Sequence, residues 1–327
     1  MAQPNHDLTA ITAGDLLGTY LRAQATAFLR ALRLHDEGAA GAAAEGGEAA
    51  RSLRGAARRI SSTLTTFRAV AESGWADSLR TELTWLSATL ADEHAYAARL
   101  TRLMDALHRL SGNSEVPAPR GTTGSLTVGS ARAGALLERQ LTLSRTRAHS
   151  ATLQALGSSR FHAVADAVAV LASEVPLDPV AARGRVGDVL VPLAEVAGSR
   201  LSAAVAALPD PSSSHPYDAD HDGPWNEVRR LLRVHRYARE ALCEDVARLA
   251  VAGEALDRHR DAADAAGASA TAARTPRIAP ATAYALGVLH ADQRHEVEAS
   301  RRTFRHIWQP AGSSHVAGHR PAVAGGV

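Results

Sequence analysis

The chain has 327 residues, of which 46% are hydrophobic and only 4% aromatic. That length is ample for a buried core, while abundant alanine and few aromatics disfavour a β-sandwich and suit helices packed through small side chains. All 36 residues counted as Lys plus Arg are arginines, which excludes lysine-dependent phosphate loops, pyridoxal Schiff bases and Ser-Lys dyads. The formal net charge of +2 argues against a uniformly basic nucleic-acid surface, so an anion site must come from local segregation of charge.

Cys243 is the only cysteine. It forbids an intramolecular disulfide and a Cys-rich zinc site, fits a reducing compartment, and reads as a small buried hydrophobe. The N-terminal stretch lacks a charged region followed by an apolar one, and no apolar run approaches the roughly 18 residues of a membrane span. A soluble cytoplasmic protein without a membrane partner is expected.

In chain order, residues 1–13 read as a flexible segment, and Leu16, Tyr20, Ala23 and Phe28 open the first helix. A Gly- and Ala-rich stretch, 36–48, reads as a solvated loop. Leu53, Ala57, Ile60, Leu64 and Phe67 form the apolar stripe of a second helix, and Leu79, Leu83, Leu86 and Leu90 that of a third. The Pro-, Gly- and Ser-rich segment 111–131 reads as a linker. Beyond it come a helix around Leu136 to Leu156, another from Phe161, a third near Leu190 to Leu208, a break at 207–224, and an Arg-rich helix from Trp225. The expected fold is all-α: two similar helical halves, 14–110 and 132–309, within one domain over 14–309, with a disordered tail at 310–327.

Two helices segregate charge. At 100° per residue, Arg51, Arg54 and Arg58 fall in one narrow band with Arg59 beside it, opposite Leu53, Ala57, Ile60 and Leu64. Arg229, Arg230 and Arg233 share a face with Tyr237, with Arg236 at its edge, opposite Val228, Leu231, His235, Ala238 and Leu242. Neither Ser52 to Ala71 nor Val228 to Arg239 contains an acid, although like charges at i, i+3 and i+4 cost roughly 0.2–0.5 kcal/mol each. For a single run, pairing with carboxylates of other helices or a solvated face is the ordinary explanation. Two matching runs, one in each half, favour a groove for a multiply charged phosphate ligand, because each guanidinium offers a permanently charged planar fork of donors.

At these residues the sequence resembles the CHAD family, the conserved histidine α-helical domain, whose hallmark helix H-x-x-R-x-x-x-R-R recurs in each half of a duplicated bundle. Arg54, Arg58 and Arg59 fit the first copy, and Arg229, Arg230, Arg233, Arg236, Tyr237 and Glu240 fit the second in part. Further matches are LGSSRFHAVADAV with Arg160, ALDRHRDA with His259 and Asp261, and AYALGVL near Gly287. The name-giving histidine positions read Arg51 and Asn226, and the family's R-D-x-D segment reads His94, Ala95 and Ala97. The resemblance implies a duplicated four-helix-bundle architecture whose central basic cavity binds inorganic polyphosphate without a reaction or cofactor. It also implies polyphosphate granules, with a protein partner there, as a destination.

Rival readings are a helical scaffold or adaptor that has lost the anion site, its arginines neutralised by acids such as Glu82 or Asp105, and an accessory phosphohydrolase needing a metal-carboxylate cluster. DADHDG, Asp218 to Gly223, resembles the start of a calcium loop, but Arg229 stands where the bidentate acid belongs. It reads as a solvated loop leading into a helix with Pro224 near its first position. No HExxH, di-iron ExxH or GxSxG pattern is present, so no catalytic or metal residues are assigned. His162, His235 and His306 read as core histidines, and no base-reading motif points to sequence-specific nucleic acid.

Overall fold

The computed structural model describes residues 11–38, 43–112, 122–210 and 218–309. The N-terminal segment before residue 11 and the tail expected at 310–327 lie outside them. Among the described residues there are ten α-helices and no strand: α1 (Ala13–Gly38), α2 (Ala43–Thr66), α3 (Ser73–Gly112), α4 (Thr122–Leu156), α5 (Ser159–Ser173), α6 (Pro179–Ala182), α7 (Val186–Ala206), α8 (Asp222–Ala241), α9 (Ala247–Ala273) and α10 (Pro280–Trp308). The fold class is therefore all-α, as expected from the low aromatic content.

The predicted stripes of α2 and α3 are the buried ones: Leu53, Ala57, Ile60, Leu64 and Phe67, and Leu79, Leu83, Leu86 and Leu90. In α1 the register differs. Leu17, Leu21, Ala25 and Phe28 are buried while Ala23 faces solvent, because α1 meets α2 on one side and α5 on another. The loop expected at 36–48 and the linker expected at 111–131 are both shorter than composition suggests. The end of α1 and the start of α2 occupy parts of 36–48, and α4 begins at Thr122, inside the stretch read as linker. Ala43 and Ala44 sustain the start of α2 where glycine argued for a loop.

Three apolar clusters form among the described residues. One joins α1, α2, the first half of α3, α5, α7 and the end of α8. A second joins the last part of α3 with α4, α9 and α10, and a third is built on Trp225 and Phe304 with Leu201, Leu232 and Leu256. The 40-residue α3 runs from the first cluster into the second, and α8 from the third into the first, so long helices stitch the clusters together. The loop before α3 is pinned to the loop after α5 by Glu72 N donating to the Pro176 carbonyl at 3.1 Å and Asp178 N to that of Val70 at 2.9 Å.

Two positions depend on close approach or special backbone. Gly129 of α4 lies against the backbone of Ala281 in α10, where an added Cβ would stand 2.8 Å from the Ala281 carbonyl carbon and closer still to its oxygen. Backbone cannot yield as a side chain can, so Gly129→Ala is expected to lower the unfolding free energy by about 1–3 kcal/mol in chemical denaturation. Cys243 has φ 58° and is exposed, which corrects its reading as a buried hydrophobe. It is the left-handed residue that ends α8, with Cys243 N donating to the Glu240 carbonyl at 3.0 Å and Glu244 N to that of Arg239 at 3.1 Å. Cys243→Gly is expected to raise stability by up to about 1 kcal/mol, since glycine adopts this conformation without a Cβ penalty. Cys243→Ala should give no such gain.

α7 corrects a second expectation. Among the described residues it is the one helix long and apolar enough to cross a membrane, with a mean hydropathy of 1.4. Asp188, Glu195 and Arg200 interrupt its sequence, and Val186, Leu190, Ala194, Ala197 and Leu201 form a buried stripe. His162 and His306 are exposed rather than core. His235 is half-buried, its ring packed on Gly198 of α7.

Candidate functional site

The arginines of α2 and α8 meet because each helix spends its apolar face elsewhere. α2 buries its stripe against α1 and α3, and α8 buries Trp225, Val228, Leu232 and Ala238 against α7 and α9. The faces left over pack on one another. Leu232 is more deeply buried than Leu231, and Tyr237, expected on the basic face, is covered. The reason is that α8 is contacted from three directions rather than one.

At one end of this crossing the charges are neutralised. Glu240 accepts from Arg59 Nε at 3.2 Å and from the Tyr20 hydroxyl at 3.2 Å, and its other oxygen lies 3.3 Å from Arg236 Nε. The guanidinium carbons of Arg59 and Arg236 lie 5.3 and 4.9 Å from the Tyr237 ring centroid. Burial and the Glu240 carboxylate raise the Tyr20 pKa, so its hydroxyl stays protonated as a donor. Of the eight arginines singled out by sequence, Arg59 and Arg236 therefore act first as a clasp between α2 and α8.

At the other end the positive charge is not balanced. Arg54 and Arg233 are both pushed down to about 10, chiefly by burial. Arg58, Arg229 and Arg260 add to this at Arg54, and Arg229 and Arg58 at Arg233. Arg229 pairs with Asp257 of α9 at 2.5 Å, and Arg54 Nε donates to the Ser87 carbonyl at 3.1 Å. Among the described residues no carboxylate lies within 4 Å of Arg51, Arg54, Arg58 or Arg233, and Arg58 Nε is buried without a hydrogen-bond partner. Arg230 does not join them: it is exposed and holds Glu227 at 2.6 Å. Arg51 and Asn226, at the motif histidine positions, are both exposed.

A cavity of about 300 Å³ adjoins this cluster, walled by α2, α3, α8 and α9. Arg54 and Arg229 face into it, and so do three arginines not singled out from sequence: Arg99 and Arg102 of α3 and Arg260 of α9. Arg99 is held by Asp264 at 2.9 Å and Arg102 by Gln293 at 2.5 Å. Arg260 sits inside the ALDRHRDA stretch, so a signal for it was present, whereas Arg99 and Arg102 lie on a helix of mixed charge with no such segregation. His94, in the divergent segment, lines the cavity too; burial and the charges of Arg51 and Arg54 lower its pKa and favour the neutral ring.

The N-terminus of α8 is fixed by a buried ionic knot that sequence had read as a solvated loop. Asp222 accepts from Arg294 Nη1 at 2.7 Å and from Arg301 Nη2 at 2.6 Å, and Arg301 also donates to Glu298 at 2.6 Å. Both arginines are 1% exposed. His259 stacks on Trp225 with ring centroids 5.6 Å apart, and its Nε2 is 3.5 Å from Asp222. Burial opposes ionisation of Asp222, but the adjacent His259 ring, the hydrogen bond from Arg294 and the Arg294 charge outweigh it and hold its pKa at about 2. Glu82, offered as a neutraliser of the basic helices, instead pairs with Arg160 at 2.6 Å, and Asp105 is exposed. Among the described residues there is no group of three or more His, Cys, Asp or Glu placed to hold a metal.

Residues 23–270 match the CHAD domain family. PptA from Streptomyces chartreusis is 59% identical and superposes with a TM-score of 0.78, over 91% of this chain and 99% of that one. The CHAD domain from the plant Ricinus communis, 20% identical, shares the fold at a TM-score of 0.57, over 90% and 92% of the two chains. No curated protein matches this chain. With the family spanning three-quarters of its length and an all-α frame that carries two arginine helices face to face, the chain belongs to the CHAD family.

Proposed function

We propose that the protein binds inorganic polyphosphate, without a reaction, in the groove where α2 and α8 meet. The observation that carries this reading is the set Arg54, Arg58 and Arg233, gathered from two helices with no carboxylate within ion-pair distance among the described residues. A protein interior leaves desolvated like charges together at a cost, and a linear chain of phosphates relieves it at several points at once. Arg51 and Arg229 extend the row, and Arg59 and Arg236 close it through their hold on Glu240. Targeting to polyphosphate granules would follow from such binding.

The test is calorimetric titration with polyphosphate across a salt series. If about five arginines engage, counterion release should give a slope of log K against log salt of about −3 to −4, by analogy with single-stranded nucleic acids. Weak binding with no salt dependence would overturn the reading and leave a helical scaffold. Phosphate release during the same titration would replace binding with hydrolysis.

A further inference from the structure

The basic cavity that continues the groove carries one histidine in its lining. His94 stands on the α3 wall with Arg99 and Arg102 of the same helix, and Arg54 of α2, Arg229 of α8 and Arg260 of α9 complete a lining in which arginines outnumber the acids Asp92, Asp261 and Asp264. Asp264 is committed to Arg99 and Arg260, and Arg229 pairs with Asp257. Glu93, next to His94 in the chain, lies 3.0 Å from the His149 ring of α4. Among the described residues no side chain hydrogen-bonds or ion-pairs with His94, and the ring is exposed enough for a ligand to reach. The charges that act on it are Arg51 and Arg54 from α2, opposed by Asp261 from α9 and Glu93 from α3. Partial desolvation and the two arginines hold its pKa below the ordinary 6.5, so the ring is mostly neutral at pH 7 in the free protein.

We propose that His94 is a proton-coupled contact of the polyphosphate groove: its ring is neutral in the free protein, takes up a proton as phosphates enter, and makes binding tighter as pH falls. Resting on the polyphosphate reading of the groove, this coupling makes proton concentration a control on that same site. Phosphates laid along Arg54, Arg229 and Arg102 cancel the positive field that keeps the ring neutral and put a negative one in its place. The imidazolium then donates from both ring nitrogens, whereas the neutral ring keeps one nitrogen as an acceptor that repels a phosphate oxygen. A group whose pKa is raised by a ligand takes a proton up with it, so affinity climbs as pH drops through the bound pKa and levels off below the free one. The free value lies below 6.5 and phosphates push the bound value upward, so the window straddles the ordinary histidine range. The arginines cannot supply such a response, because they stay charged across it. Asp261 faces the same space, and its own titration is common to every variant compared below.

The experiment is calorimetric titration of the full chain with long-chain polyphosphate at fixed salt, at about pH 5.5 and about pH 8, either side of an unperturbed histidine. A further titration at about pH 6.5 uses two buffers of different ionisation enthalpy to count protons taken up. Only the few chain-end phosphates of this ligand titrate in that range, and they are the same for every protein tested. Wild type should bind about tenfold tighter at the acid pH, the equivalent of one pKa unit gained on binding, and should take up part of a proton at the intermediate pH. His94→Gln, which cannot titrate, should lose most of both effects. His94→Arg, permanently charged, should bind at about pH 8 nearly as well as wild type does at the acid pH. Equal wild-type affinity at the two pH values, or a pH ratio and proton uptake unchanged in His94→Gln, would overturn the proposal and leave the groove reading standing. No binding at any pH would remove the groove reading and this coupling with it. The wild-type buffer comparison needs no variant, and His94 is exposed, so its substitution leaves the core untouched.

Discussion

Asp222→Ala is expected to lower the unfolding free energy by about 3–5 kcal/mol, the cost of removing one partner from a buried ionic cluster. Asp222 sits between two guanidiniums that are each 1% exposed. Without it Arg294 loses a charge-assisted partner and Arg301, which pairs with Asp222 and Glu298, keeps Glu298. At about 2 °C per kcal/mol for a chain of this size, the midpoint of thermal melting should fall by roughly 6–10 °C. The same group sets an acid limit. A carboxylate whose folded pKa, about 2, lies below its ordinary value of 3.8 contributes stability that is present above pH 3.8 and lost as pH falls toward 2. Wild-type protein should therefore lose stability steeply over that window, and Asp222→Asn should flatten the loss. Equal melting of wild type and Asp222→Ala at neutral pH would show that the knot is not a strong restraint. Because Asp222 opens α8 and Arg233 lies three turns along it, the alanine variant should also bind polyphosphate more weakly.

Arg58→Met/Arg233→Met should melt higher than the wild type and bind polyphosphate worse. Methionine keeps length and apolar contact while removing two like charges. Among the described residues neither arginine has a carboxylate within ion-pair distance, and Arg58 Nε has no hydrogen-bond partner to lose. Arg233 is held down to about 10 by burial and by Arg229 and Arg58, so at neutral pH it is charged in both folded and unfolded states and the fold bears the cost. After solvent screening that cost is about 1–2 kcal/mol, a rise of roughly 2–4 °C in melting temperature. Two lost charge-assisted contacts should weaken binding by about a hundredfold or more. Opposed signs of the two effects mark a site that stores unfavourable charge for a ligand. If the variant melts lower, with binding unchanged, the arginines are structural and the scaffold reading gains. Saturating polyphosphate should raise the wild-type melting temperature and leave that of the variant nearly unmoved.

The basic bands of α2 and α8 were legible in the sequence because charge segregation on a helix is a local property, fixed by 100° per residue and independent of what the helix touches. The apolar stripes of α2 and α3 were legible for the same reason, and the family motifs added the expectation that the two bands face each other. α1 shows the limit of that logic: two neighbours on different sides shift which positions are buried, so Ala23 is exposed and Leu17, Leu21 and Ala25 are covered. Arg230 and Arg233 look equivalent on a helical wheel. One holds Glu227 in solvent and the other is desolvated in the groove.

What the sequence determined alone was the helical class, the two arginine faces and the exclusion of lysine and cysteine chemistry, all of which depend on composition or on spacings within a single helix. The tertiary structure decided which arginines are neutralised and which are left uncompensated. Their partners Glu240 and Asp257 lie 181 and 28 residues away from Arg59 and Arg229, and no local pattern encodes such pairings. It also turned Asp222 from a loop acid into the anchor of α8 and brought Asp92, Asp261 and Arg54 to one cavity. Burial and charge pairing are properties of three-dimensional neighbours, and those neighbours exist only once the helices have packed.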